Sequence, residues 1–215
     1  MNNVSAVLFD CDGVLVDSEG ISNRLLCDDL SERGLDLTMD EVMSFSFGGT
    51  MEGVAAEAAR RGADMPGDWV AQFYRKMFAA LDAEVEAVPG VADLLMRLNR
   101  GGKACAVASN GPRAKMEVTL KRTGLWDWLD PHIYSARDLA HPKPAPDVFL
   151  HAAAQLQVSP QHCVVVEDSP SGARAARAAG MRCIGYQAAG HPQALDSYCD
   201  LVISDMAEAI TLLGV

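Results

Sequence analysis

Five short apolar runs, each of strand length and four of them alternating with helical patterns, limit the fold of this 215-residue chain more than any other feature. The first, Val4 to Phe9, is almost continuously apolar, as expected for a strand covered on both faces in a parallel sheet. Lys103 to Ala108, His132 to Ser135, Cys163 to Val166 and Arg182 to Tyr186 repeat the pattern. Val91 to Arg100, Arg113 to Thr123, Asp147 to Gln155 and Ala173 to Ala179 carry helical spacing around them. Alternating strand and helix predicts an α/β core, a parallel Rossmann-like sheet with helices on both faces.

The first connection breaks the alternation, because everything from Gly13 to Pro89-Gly90 reads as helix. Val70, Phe73, Met77 and Leu81 keep one helical face, and Val54, Ala55 and Ala58 begin another. The expected division is an α/β core of residues 1–16 and 85–215 and an inserted all-helical cap of residues 17–84. The stripes read as packing faces, Gly48-Gly49 as a cap turn, and Arg75 and Lys76 as a solvated helix face.

A formal charge of −11 disfavours nucleic acid and anionic membranes as partners. No run reaches the roughly 18 apolar residues of a membrane span, and Asp10 and Asp12 interrupt any signal-peptide core. A cytoplasmic monomer is expected. The six cysteines form no C-x-x-C pair and read as small buried hydrophobes. The five histidines show no ligand spacing and read as surface or satisfied core residues.

The chemistry-bearing residues gather where strands end. Asp10 and Asp12 follow the first strand, Ser109-Asn110-Gly111-Pro112 the second, and Glu167-Asp168 the fourth. Lys143 lies in the proline-stiffened loop His141-Pro142-Lys143-Pro144. In open α/β sheets ligands bind at the carboxyl ends of the strands, which is where all four clusters fall. Pro112 suits a first helical position, with exposed N–H groups before it able to hold an anion. Ser169, Pro170 and Gly180 mark the cap, first turn and stop of another helix. Each cluster alone has a bland reading: an acidic pair is usually solvated, a lone lysine exposed, a serine a helix cap.

Four converging carboxylates repel one another. At an effective dielectric of about 20, each pair at 4 Å costs about 4 kcal/mol, so a cation or protons must offset them. Oxygen ligands without imidazole or thiolate favour Mg²⁺ over zinc. With that charge offset, Asp10 can attack phosphorus while Ser109 and Lys143 balance charge on the non-bridging oxygens. Asp12 can protonate the leaving alkoxide and then take a proton from the hydrolytic water.

These residues resemble the haloacid dehalogenase-like hydrolases over essentially the whole chain. Asp10-Cys11-Asp12-Gly13-Val14 resembles their D-x-D-G-[TV] motif, Ser109 their second, Lys143 in K-P-x-P their third, and Glu167-Asp168 their fourth. The helical insertion is similar to the small cap of the β-phosphoglucomutase-like and sugar-phosphatase branch. The resemblance implies a Mg²⁺ bound by the Asp10 carboxylate, the Asp12 carbonyl and Asp168, with Glu167 as a further ligand or an outer base. It also implies a cis peptide at Lys143-Pro144 and a small phosphorylated substrate.

Two departures bear on the reaction. Where the mutases carry a positioning histidine this chain has Ser22, and where they carry a phosphate-gripping arginine it has Met51. Phosphatase is therefore expected ahead of phosphomutase. Ser109-Asn110-Gly111-Pro112 followed by Lys115-Met116 resembles phosphatases of 6-phosphogluconate-like sugar acids, with Asn110 counted among the phosphate-binding residues. Carbon–halogen hydrolysis is disfavoured because halide needs no proton, which leaves Asp12 without a task. A receiver-like phospho-binding domain is disfavoured because its acceptor ends the third strand and it carries no cap.

Overall fold

The computed structural model describes residues 3–46, 50–187 and 195–215; the expected Gly48-Gly49 turn and His191 lie outside them. The elements in chain order are β1 (Ala6–Phe9), β2 (Val16–Asp17), α1 (Glu19–Glu32), α2 (Met39–Ser46), α3 (Met51–Arg60), α4 (Trp69–Glu84), β3 (Glu86–Ala87), α5 (Val91–Arg100) and β4 (Ala104–Ser109). They continue as α6 (Arg113–Arg122), α7 (Trp126–Leu129), β5 (Ile133–Ser135), α8 (Asp147–Gln155), β6 (Cys163–Glu167), α9 (Pro170–Ala178), β7 (Arg182–Tyr186), β8 (Leu201–Ile203) and α10 (Met206–Leu213). The chain falls into two compact units, Met1–Asp17 with Glu86–Val215, and Ser18–Val85.

The larger unit is built on a six-stranded parallel sheet in the order β5-β4-β1-β6-β7-β8. The residues of β1 are fully buried, which is why its sequence is apolar without alternation. Leu8, Ala106 and Val165 pack into one cluster with Phe149 of α8 and Ala173 of α9. The alternate residues Val7, Phe9, Val107 and Val166 are equally buried, so the sheet is covered on both faces. β1 lies between β4 and β6, with Phe9 level with both Val107 and Val166. The chain leaves β1 first towards β4 and later towards β6. The crevice at the carboxyl end of β1 is thus a topological switch point, where such sheets bind ligands.

Several features of this unit depart from the expected elements: the stretch expected to be helical throughout contains β2 and β3, paired with each other, and α7 and α10 were not expected. β8 was not anticipated, because Leu201 is 43% exposed on a three-residue edge strand and shows no buried run. Pro112 precedes α6 instead of opening it. α9 follows expectation: the Ser169 side chain accepts from the Gly172 amide, and Pro170 begins the helix. The Lys143–Pro144 bond is cis, and so is Asp130–Pro131.

The smaller unit is α-helical. Its apolar stripe on α4 is Trp69, Phe73, Met77 and Leu81, with Trp69 taking the buried place expected of Val70. Asp29 of α1, only 3% exposed, joins the helices. It accepts from Trp69 Nε1 at 2.6 Å, Arg33 Nε at 2.8 Å and Lys76 Nζ at 2.7 Å. Burial alone would raise the Asp29 pKa, but these three donors together hold it below the ordinary aspartate value. Lys76 is thereby a structural residue, also 3.5 Å from Glu32.

The six cysteines carry free thiols. Cys183 of β7 and Cys199, just before β8, bring their sulfurs within 3.6 Å, a proximity that the sequence spacing did not reveal. His132 bonds Tyr134, His141 bonds Asp147 and His162 bonds the Asn3 carbonyl. No helix among the described residues is long and apolar enough to cross a membrane.

Candidate active site

The site is assembled from the ends of three neighbouring strands. Asp10 follows β1, its amide bonded to the Val166 carbonyl at 3.0 Å. Ser109 closes β4 and Glu167 closes β6. Lys143 enters from the loop before α8 and lies almost fully buried, with Nζ 2.5 Å from Asp10 Oδ1 and 2.7 Å from Glu167 Oε1. The same ammonium stands 4.7 Å from the ring centroid of Phe149, a cation–π contact from the core beneath. Burial works against this charge, yet Asp10 and Glu167 hold the Lys143 pKa above its ordinary value.

Glu167 is 1% exposed and both its oxygens are engaged. Oε1 takes Lys143, and Oε2 accepts from the Ser169 amide at 2.8 Å and hydroxyl at 2.9 Å. Its carboxylate fills the space beside Gly172, where an added Cβ would lie 1.6 Å from Oε1. Asp168 lies against the acidic turn after β1. A Cβ on Gly13 would come within 2.1 Å of Asp168 Oδ2, and Gly13 has φ +76°, so this turn requires glycine twice over.

Asn110 is exposed, and its side chain ties down Lys143. Its Oδ1 accepts from the Lys143 amide at 2.9 Å, and its Nδ2 donates to the Lys143 carbonyl at 3.4 Å. The Ser109 hydroxyl accepts from the Gly111 amide at 3.0 Å. Ser135, buried at the end of β5, donates to the Gly111 carbonyl at 2.7 Å and fixes the loop from below. Lys115, two residues into α6 beyond its first, reaches Asp12 Oδ1 at 2.8 Å. Sequence reasoning met Lys115 only inside a motif and gave it no role.

All seven candidate residues, Asp10, Asp12, Ser109, Asn110, Lys143, Glu167 and Asp168, therefore come together at the carboxyl ends of β1, β4 and β6 or in the loop that Asn110 holds against them. Burial raises the Asp10 carboxyl to about 7; Lys143 opposes the rise, while Glu167 and Asp12 add to it. Burial first, and then the neighbouring carboxylates, thus disfavour the ionised form of Asp10. Among the described residues no group of three His, Cys, Asp or Glu side chains is placed to hold a metal ion. Mg²⁺ takes one or two carboxylates, keeps several waters and would offset the acidic charge. Asp10, Asp168 and the Asp12 carbonyl are oxygen donors of that kind, whereas Glu167 already has both oxygens occupied.

This arrangement is that of an α/β fold with a buried carboxylate and lysine at its switch point. Residues 7–186 match the haloacid dehalogenase-like hydrolases, and the chain belongs to that family. It is 32% identical to 6-phosphogluconate phosphatase of Escherichia coli, over 89% of this chain and 86% of that protein. It is 38% identical to SUPPRESSOR OF QUENCHING 1, a chloroplastic protein of Arabidopsis thaliana, over 84% of this chain but only 18% of that protein's length. In structure it is similar to a haloacid dehalogenase-family hydrolase of Deinococcus radiodurans solved with bound phosphate and sodium. That likeness has a TM-score of 0.83 and 35% identity, over 99% of this chain and 96% of that one. The chain is an enzyme of the family's sugar-phosphatase branch, a phosphoric monoester hydrolase.

Proposed function

We propose that this enzyme is a Mg²⁺-dependent phosphatase of small phosphorylated sugars or sugar acids, acting through a phosphoryl group carried on Asp10. The observation that carries the reading is the buried chain of contacts Asp10–Lys143–Glu167, which aims a single carboxylate into the crevice at the switch point. Asp10 attacks phosphorus, and Lys143 meets the charge that builds on the non-bridging oxygens. The Ser109 hydroxyl and the Asn110 amide bind those oxygens. Asp12 gives a proton to the departing sugar oxygen and takes one from the water that later frees Asp10. Asp10, Asp168 and the Asp12 carbonyl would hold Mg²⁺, which would neutralise charge on the transferring group.

Glu167 acts in this scheme by holding Lys143, and Asn110 by fixing the Lys143 backbone while presenting its own amide to phosphate. The helical unit, residues 18–85, serves as the cap that selects the substrate. Ser22 and Met51, where the mutases carry histidine and arginine, favour water as the final acceptor. The name of the E. coli relative makes phosphorylated sugar acids the first compounds to try.

A panel of phosphate esters assayed with Mg²⁺ and with EDTA tests the proposal. Wild type is expected to release phosphate from some of them only with Mg²⁺, and Asp10→Asn to release none. Turnover surviving in Asp10→Asn would remove Asp10 as the nucleophile.

A further inference from the structure

Lys115 breaks a local rule of helix construction. It stands in the first turn of α6, which holds no acidic residue and carries Arg113 as well. The amino end of a helix is the positive pole of its macrodipole, and a cation there is disfavoured by about 0.3–1 kcal/mol. The side chain is only 14% exposed, so its ammonium has also lost much of its water. Both penalties are offset at one place, the 2.8 Å pair with Asp12 Oδ1. Residues that violate a local preference with a specific compensation tend to mark functional sites.

The rest of Lys115 is anchored as firmly as its tip. Its amide donates to the Pro112 carbonyl at 2.9 Å, and its carbonyl accepts from the Thr119 hydroxyl at 3.1 Å. Thr119 is fully buried and lies 4.0 Å from the sulfur of Cys11, the residue before Asp12. Gly111 leaves open the space these groups share. The point where its Cβ would lie is 3.5 Å from Asp12 Oδ2, 3.4 Å from Ser109 Oγ and 4.0 Å from Lys115 Cδ. The side chains of Lys115, Asp12 and Ser109 therefore all lie against Gly111.

We infer that Lys115 is a positioning residue for Asp12, holding its carboxylate beside the Ser109–Gly111 loop so that it meets the leaving oxygen. The inference rests on the phosphatase reading above. Asp12, paired with Lys115 in the resting site, takes up a proton from solvent before the attack; as the bond from Asp10 to phosphorus forms and the bond to the sugar oxygen breaks, that proton passes to the sugar oxygen. Lys115 keeps its own protons throughout. A carboxylate free to rotate about χ1 samples several staggered wells, and misplacement by about 1 Å can slow a reaction about 100-fold.

The test compares wild type, Lys115→Met and Lys115→Arg on two esters: an alkyl sugar phosphate chosen from the panel, and p-nitrophenyl phosphate, whose phenolate departs without a proton. kcat/KM reports the steps up to phosphoryl transfer. Lys115→Met is expected to lose about 10- to 100-fold on the alkyl ester through kcat, with KM little changed. It should lose less than about threefold on p-nitrophenyl phosphate, and Lys115→Arg should recover most of the alkyl activity. Equal losses on both esters, no loss on either, or a raised KM with unchanged kcat would overturn the positioning role. The same pattern is expected of Lys115→Gln, which decides the matter if Lys115→Met does not fold. If wild type turns over neither ester, the phosphatase reading fails and this inference falls with it.

Discussion

Adding one methyl group at Gly172 should disable a site in which that residue takes no chemical part. Gly172 is the third residue of α9, and in an ordinary helix alanine is favoured over glycine by about 1 kcal/mol. Here the new Cβ would lie 1.6 Å from Glu167 Oε1, 1.9 Å from Cδ and 2.6 Å from Oε2, so the whole carboxylate must leave. A flexible surface glutamate would yield easily. Glu167 is 1% exposed and pinned at both oxygens, and its departure strands the Lys143 ammonium beside Asp10. Breaking a buried pair costs about 3–5 kcal/mol, so after the helix gain the net loss is about 2–4 kcal/mol. At about 2–4 °C per kcal/mol for a chain of this size, Gly172→Ala should melt about 4–16 °C lower by circular dichroism. Phosphate release should fall with it, because Lys143 loses one of the two carboxylates that fix it. A variant as stable and as active as wild type would refute the argument that Gly172 exists to house Glu167.

Two further perturbations separate the units. Asp29→Asn should destabilise the helical unit by about 1–3 kcal/mol, since Arg33, Lys76 and Trp69 lose a charged acceptor. The Asp29 pKa is lowered by folding, so its contribution is complete above the ordinary aspartate value of about 4 and fades as pH falls through the folded value. The melting gap between wild type and variant should therefore narrow on acidification below that value, and a gap independent of pH would contradict the network. Gly13→Ala places a side chain on a φ of +76° and drives Asp168 away, so the Mg²⁺ concentration giving half-maximal activity should rise at least about tenfold. An unchanged Mg²⁺ requirement would show that Asp168 is not a ligand.

The sheet was legible because each core strand is buried on both faces and so reads as an apolar run. The gathering of the candidate residues was legible because Asp10, Ser109 and Glu167 end or follow those runs and a proline-framed loop marked Lys143. β8 escaped notice for the opposite reason, being a short edge strand with Leu201 in solvent. In the site, side-chain direction was the hidden variable. Nothing in the order of residues showed that Asn110 turns to the Lys143 backbone, that both Glu167 oxygens are occupied, or that Ser135 braces Gly111. Lys115 did leave a trace, as a cation where the first turn of a helix calls for Asp or Glu. The helical unit shows the same limit: periodicity found the face of α4 but not Asp29, whose partners lie 4, 40 and 47 positions away.

The short ribbon of β2 and β3 also bears on how such a chain could arise and be re-engineered. Val16 pairs with Ala87 and Asp17 with Glu86, so the points where the chain enters and leaves the helical unit lie side by side on adjacent antiparallel strands. An insertion whose ends already meet makes almost no demand on the sheet that hosts it. Exchanging residues 18–85 for another helical segment, or for a tight two-residue turn, would leave the strand order untouched. The six-stranded framework can in this way be inherited separately from the helical unit.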